Sequence, residues 1–150
     1  QKIRKKSVKQ KLKNINIEFK NKNILLIDDS IVRGNTSKQI VEMAKSAGAK
    51  KIYFASASPK IIFPNVYGID MPYVEELIAY KRTTDEICKI IGADKLIYQD
   101  IEDLEDSVRK LNKRIGKFDS SCFTGEYITG SVNHKYLENL NKIRGKKNEL

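Results

Sequence analysis

The chain has 150 residues, 40% of them apolar and 32% charged, enough for one hydrophobic core and too few for two independent catalytic domains of ordinary size. No apolar run approaches the roughly 20 residues of a membrane-spanning helix, so a soluble cytoplasmic protein with no membrane partner is expected. The net charge of +10 brings nucleic acid to mind, but residues 1–22 hold nine Lys/Arg against Glu18, and the remainder is close to balanced. There is no basic stripe interleaved with aromatic residues of the kind that stacks bases, so no nucleic-acid partner is expected. The basic stretch reads either as the flank of an anionic-ligand site or as a solvated surface.

Two cysteines, Cys88 and Cys122, lie far apart without a C-x-x-C, and His134 is the single histidine. That pattern argues against zinc and for idle thiols in a reducing compartment. Gln1 stands at the start in place of Met, and the Lys/Arg-rich opening is followed by no apolar stretch. No secretory leader is legible there, and a start inside a longer sequence is expected.

In chain order, Asn23 to Ile27 is a continuous apolar run ending in Asp28-Asp29, the pattern of a strand buried on both faces of a parallel sheet. Thr36 to Ala47 puts Ile40, Val41, Ala44 and Ala47 on one helical face, with Gly48 as a stop signal. Lys51 to Ser56 reads as a second buried strand, which makes a right-handed strand–helix–strand unit. Thr83-x-x-Glu86 is a capping box opening a helix that carries Ile87, Ile90 and Ile91 and ends at Gly92. Lys95 to Gln99 follows as a third strand, Ile101 to Leu111 as a helix, and Cys122 to Thr129 as a hairpin around Gly125. The alternation defines an α/β fold with a mostly parallel sheet.

Chemistry concentrates in Ile27-Asp-Asp-Ser-Ile-Val-Arg-Gly-Asn-Thr-Ser37, which falls at the carboxyl end of a strand, where open parallel sheets bind ligands. Gly34 permits close backbone approach. Asn35, Thr36 and Ser37 offer amides and polar side chains at a helix N-terminus, where unpaired N–H groups and the dipole favour an anion such as phosphate. Asp28 and Asp29 repel each other unless a sugar diol or a hydrated Mg²⁺ lies between them. The alternative is an acidic strand end that only closes a loop. The segment is neither a Walker A loop nor a Gly-x-Gly-x-x-Gly fingerprint.

Leu26-Ile-Asp-Asp-Ser-Ile-Val-Arg-Gly-Asn-Thr-Ser37 resembles the phosphoribosyl-pyrophosphate loop of type I phosphoribosyltransferases, and in particular that of the amidophosphoribosyltransferases. Ala55-Ser-Ala-Ser-Pro59, Phe63 to Pro72, Glu76-Leu-Ile-Ala79, Ile90 to Asp94, Phe123-Thr-Gly125 and Tyr127-Ile-Thr129 are similar to the same family in the same order. Lys5-Lys-Ser-Val8 with Lys11-Leu12 is similar to the end of its flexible active-site loop.

The resemblance implies a type I phosphoribosyltransferase domain in which Asp28 and Asp29 hold the ribose hydroxyls and help bind Mg²⁺. It also implies that Ser30 and the stretch Arg33, Gly34, Asn35, Thr36 and Ser37 bind phosphoribosyl pyrophosphate, while Lys5 and Lys6 belong to a loop closing over the pyrophosphate. The implied division is a loop-like basic segment over residues 1–22, the C-terminal part of the transferase domain over 23–115, and a hairpin with a helical tail over 116–150. The implied reaction moves glutamine-derived ammonia onto phosphoribosyl pyrophosphate to give phosphoribosylamine, the first committed step of purine nucleotide synthesis. Glutamine would be handled by an N-terminal half not found in this sequence, and a homo-oligomer is expected when full-length. With two cysteines the chain is similar to the branch without an iron–sulfur cluster. Two other readings are a nucleobase transferase of the same fold and a non-catalytic regulator that senses phosphoribosyl pyrophosphate. The first lacks an identifiable base-binding hood and the second a helix-turn-helix pattern.

Overall fold

The structure, a computed structural model, describes residues 16–69 and 71–146. A short helix α1 (Asn16–Phe19) leads into β1 (Asn23–Asp28), α2 (Asn35–Ser46) and β2 (Lys51–Ser56). A long connection containing one 3₁₀ turn (Val74–Glu76) follows, then α3 (Thr84–Ile91), β3 (Lys95–Tyr98), α4 (Ile101–Leu111), α5 (Ser121–Thr124) and α6 (His134–Lys146). The strands form one parallel sheet in the order β1-β2-β3. Register sets Asp28 beside Ser56 and Ser56 beside Tyr98, so the carboxyl ends of all three strands finish level.

Alternation along each strand sends one set of side chains towards the helices. Ile52, Phe54 and Leu96 from the sheet meet Val41 and Ala44 of α2 and Ile87 and Ile91 of α3 in one buried cluster. Ile31, Ile78 and Ala79 close the same cluster from the loops. A second cluster of Ile61, Met71 and Leu77, with Cys122 and Phe123 against it, holds the long connection to the C-terminal region.

The capping box is present as the sequence predicts. Thr83 Oγ1 accepts from the Glu86 N–H at 3.3 Å, while a Glu86 carboxylate oxygen accepts from the Thr83 N–H at 2.8 Å. Gly92 ends α3 in the left-handed conformation. Asp100 caps α4 by accepting from the N–H groups of Glu102 and Asp103.

Two expectations are corrected. The sheet is covered on one face only among the described residues: Leu25, Ile27 and Ile97 point the other way and are 55%, 72% and 45% exposed. The helices α2 and α3 both lie on the Phe54 side, which leaves a continuous apolar run to serve one core rather than two. The hairpin over Cys122 to Thr129 does not form. Ser121–Thr124 is instead one helical turn, ended by Gly125 at φ 79°. A Cβ on Gly125 would lie 2.8 Å from the Phe63 ring, so the turn is packed against the long connection and has no strand to pair with.

Replacing Thr83 by Ala removes a satisfied cap and is expected to destabilise the protein by about 1 kcal/mol, read from thermal or urea unfolding. Tyr98 supplies a contrasting case: its buried phenol oxygen has no hydrogen-bond partner among the described residues, and burial pushes its ionisation up to about 12. Tyr98→Phe is expected to be neutral or to stabilise, since it removes an unsatisfied polar group. The sign for the parent follows from the raised value. Tyr98 leaves stability unaffected below the ordinary tyrosine value of 10.0 and withdraws it as the pH rises from there to about 12. The Phe variant should lack that component of the alkaline loss in a pH series of unfolding midpoints.

Candidate functional site

The site grows out of the end of β1. Asp28 closes the strand, its carbonyl accepting from the Ala57 N–H at 2.9 Å. Its Oδ1 takes the N–H of Asp29 at 3.1 Å, and the hydroxyl of Ser30 donates to Asp29 Oδ1 at 3.1 Å. Each carboxylate therefore has one oxygen engaged in shaping the turn. Ile31 is buried in the main core and fixes the turn from below.

The next residues are braced from the long connection. The Ile78 N–H donates to the Val32 carbonyl at 2.8 Å, and the Arg33 Nε donates to a Glu76 carboxylate oxygen. Gly34 follows at φ 76°, and a Cβ there would sit 2.2 Å from Ile78 Cδ1. Glycine is needed at this point on both counts, conformation and space.

At Asn35 the helix α2 begins with no side-chain cap. The first N–H groups of an α-helix have no carbonyl four residues back, so this end presents unpaired donors and the positive end of the dipole. Asn35 and Thr36 are exposed, whereas Ser37 is 1% exposed and turns its side chain into the protein. Of the expected phosphate-binding residues, Asp28, Asp29, Ser30, Arg33, Gly34, Asn35, Thr36 and Ser37 thus lie on one continuous strand–loop–helix corner. Ser37 is buried as a residue, so it offers this corner no open hydroxyl. Lys5 and Lys6 lie outside the described residues.

Among the described residues no group of three or more His, Cys, Asp or Glu side chains gathers to form a metal cage. The Asp28–Asp29 pair fits a cation that retains waters and takes its remaining ligands from a phosphorylated substrate, as Mg²⁺ does with one or two carboxylates. The cysteines are separate. Cys88 lies in α3 and donates to the Ala93 carbonyl, while Cys122 sits near Met71 in the second cluster. Burial pushes both thiols up from their ordinary value, with Asp85 and Asp94 adding to the effect at Cys88 and Asp119 at Cys122. Such thiols are poor nucleophiles at neutral pH.

Residue chemistry along the loop does not reveal the wall formed by Val74 to Ala79. Its signal in the sequence is the Glu76-Leu-Ile-Ala79 stretch, which stands out through resemblance rather than through any property of its own. Asn141 of α6 secures this wall, accepting from the Val74 N–H at 2.9 Å and donating to the Glu75 carboxylate at 3.0 and 2.9 Å.

A parallel sheet with this loop leading from its first strand to an uncapped helix is the architecture of part of a type I phosphoribosyltransferase domain. Comparison with known proteins agrees. The amidophosphoribosyltransferase of Pasteurella multocida is 60% identical over 153 residues, covering 99% of this chain and 30% of that protein. That of Haemophilus influenzae is 64% identical over 134 residues, covering 89% of this chain and 26% of that protein, and that of Saccharomyces cerevisiae is 48% identical over 144 residues, covering 96% and 28%. Among solved structures, the Bacillus subtilis glutamine phosphoribosylpyrophosphate amidotransferase complexed with ADP and GMP superposes with a TM-score of 0.65 and 37% identity. That match covers 76% of this chain and 25% of the other. No protein-family model matches. The chain is similar to amidophosphoribosyltransferases over nearly its whole length and spans about 30% of the length of the relatives it matches.

Gly34→Ala is expected to destabilise the protein by roughly 1–3 kcal/mol, since it combines a strained φ with a contact that Ile78 must move to relieve. Gly116→Ala, where an added Cβ meets nothing within 4 Å, is the control. Urea unfolding of both should show a fall in midpoint for the first alone.

Proposed function

We propose that this chain is the C-terminal part of a glutamine-dependent amidophosphoribosyltransferase and that residues 28–37 form the ribose-phosphate corner of its site. The observation that carries the reading is the juxtaposition of two carboxylates at the end of β1 with the uncapped start of α2, only seven positions along the chain from Asp28 to Asn35. One part binds hydroxyls and a hydrated cation, the other binds a phosphate, and a ribose 5-phosphate needs both within the span of a single sugar.

On this reading the N–H groups of Asn35, Thr36 and Ser37 receive the 5-phosphate, with the Thr36 hydroxyl and Asn35 amide at its exposed side. The carboxylates of Asp28 and Asp29 accept from the ribose 2- and 3-hydroxyls and hold the sugar with its anomeric carbon turned to the incoming ammonia. Asp28 and Asp29 would also help to hold Mg²⁺, which would supply charge neutralisation for the pyrophosphate group. Positive charge develops on the ribose ring as that group leaves, and the two nearby carboxylates stabilise it. The residues of this corner therefore act through orientation and electrostatics, with no side-chain base required of them.

Lys5 and Lys6 are assigned to the loop that closes over the pyrophosphate, which gives the basic segment a purpose that nucleic-acid binding does not. Glutamine hydrolysis belongs to the part of the relatives this chain does not span, and homo-oligomerisation is assigned to the full-length protein. Cys88 and Cys122 are too few for an iron–sulfur cluster, which usually needs four thiolates, so no cluster is assigned to this chain. A cytoplasmic location accords with the two reduced thiols and with the described residues, none of whose helices is long and apolar enough to cross a membrane.

Changing Asp28 and Asp29 together to Asn keeps the shape and removes the charge. Losing two charge-assisted contacts should weaken phosphoribosyl pyrophosphate binding by on the order of a hundredfold or more. Arg109→Gln, which alters a side chain paired with Glu105 and Asp106 on α4, should change affinity little. Calorimetric titration with Mg²⁺ present decides: unchanged affinity in the double Asn variant would leave the pair as a strand end and remove the site assignment.

A further inference from the structure

The loop that carries the proposed phosphate site is fastened at consecutive residues by a segment that itself supplies none of the proposed ligand groups. Ile78 donates its N–H to the Val32 carbonyl at 2.8 Å, and Glu76 accepts from the guanidinium of Arg33. Glu76 is itself held in a 3₁₀ turn, its N–H donating to the Tyr73 carbonyl at 3.0 Å, and the following Leu77 is fully buried. The Glu76 side chain is 23% exposed, so the pair stands at the margin of the core with one rigid partner and one loop partner.

The placement of this carboxylate is unexpected on electrostatic grounds. A negative group next to an anion-binding loop opposes phosphate, and removing it should improve affinity if its field were its main effect. Arg33, immediately before the left-handed Gly34, would in turn be a natural phosphate clamp, yet its Nε is committed to Glu76. Both facts make sense if the pair works as a strut. With Arg33 drawn to Glu76 and Gly34 pressed against Ile78, the chain enters α2 at a fixed angle and the first-turn N–H groups converge on one point.

We propose that Glu76 is a positioning residue of the phosphate loop, acting through Arg33 to aim the N–H groups of Asn35, Thr36 and Ser37. This rests on the functional reading above, and the two are separated by their tests. The full chain is titrated with ribose 5-phosphate in the parent, Glu76→Gln, Arg33→Lys, Arg33→Met and the Glu76→Gln/Arg33→Met double variant, and each thermal midpoint is recorded.

Glu76→Gln should bind about tenfold more weakly despite losing a negative charge, the loss of one charge-assisted hydrogen bond. Arg33→Lys, which keeps the charge and loses the planar fork, should weaken binding in the same direction. The double variant should be no weaker than Arg33→Met alone, because the second change removes a partner already lost. The thermal midpoint of Glu76→Gln should stay near that of the parent. Equal or tighter binding by Glu76→Gln overturns the positioning role and leaves the functional reading standing. Weakening that only follows a lowered midpoint overturns it in favour of a structural role. A parent that unfolds cooperatively and binds no ribose 5-phosphate overturns the functional reading and this role with it.

Discussion

Contact between Ile78 and the loop after β1 is the constraint on which the rest of the site depends. Ile31 and Ile78 belong to the same buried cluster as Phe54 of the central strand, and Gly34 leaves only enough room for Ile78 Cδ1 beside it. The loop is thus an extension of the core rather than a flap on its surface. Because close-packed interiors adjust in discrete steps, a loop so seated inherits the rigidity of the sheet. Binding groups on it can be placed to a fraction of an ångström without a bound ligand to organise them.

Parallel pairing supplies the other half of the geometry. Asp28, Ser56 and Tyr98 end their strands in one row, so whatever leaves each strand begins on the same side of the sheet. The turn at Asp28 is tightened by its own carboxylate and by Ser30, and the connection after β2 returns to it through the Ala57 N–H. Proximity of carboxylates and helix start is therefore a product of topology first and of side-chain chemistry second.

Most of this was legible in the amino-acid sequence, and the exceptions share a cause. Helices announce themselves through local rules: the Thr83–Glu86 box, Gly92 and the apolar spacing around Val41 act within a few residues, and the helices appear where those rules place them. The loop from Asp28 to Ser37 was legible because its polar residues cluster in sequence as well as in space. The brace was not, since Arg33 and Glu76 are 43 positions apart and neither residue is unusual by itself. The expected hairpin at Cys122 to Thr129 failed for a related reason. Its aromatic and β-branched residues suit a strand, but a strand needs a neighbour, and the packing of Gly125 on Phe63 offers a ring instead. One-sided burial of β1 was likewise invisible, because a run such as Ile24-Leu25-Leu26-Ile27 reads alike whether one face or both are covered.

The bare start of α2 has a consequence for how folding and occupancy relate. Among the described residues no side chain caps that turn, so the amides of the exposed Asn35 and Thr36 stand open to water and their hydrogens should exchange with solvent far faster than those deeper in the helix. An anion seated there would be the acceptor those groups lack, in effect the residue missing from the helix cap. Stability of the first turn and affinity for the anion then draw on the same hydrogen bonds, and solvent exchange at the amides of Asn35 and Thr36 becomes a direct gauge of whether the corner is filled.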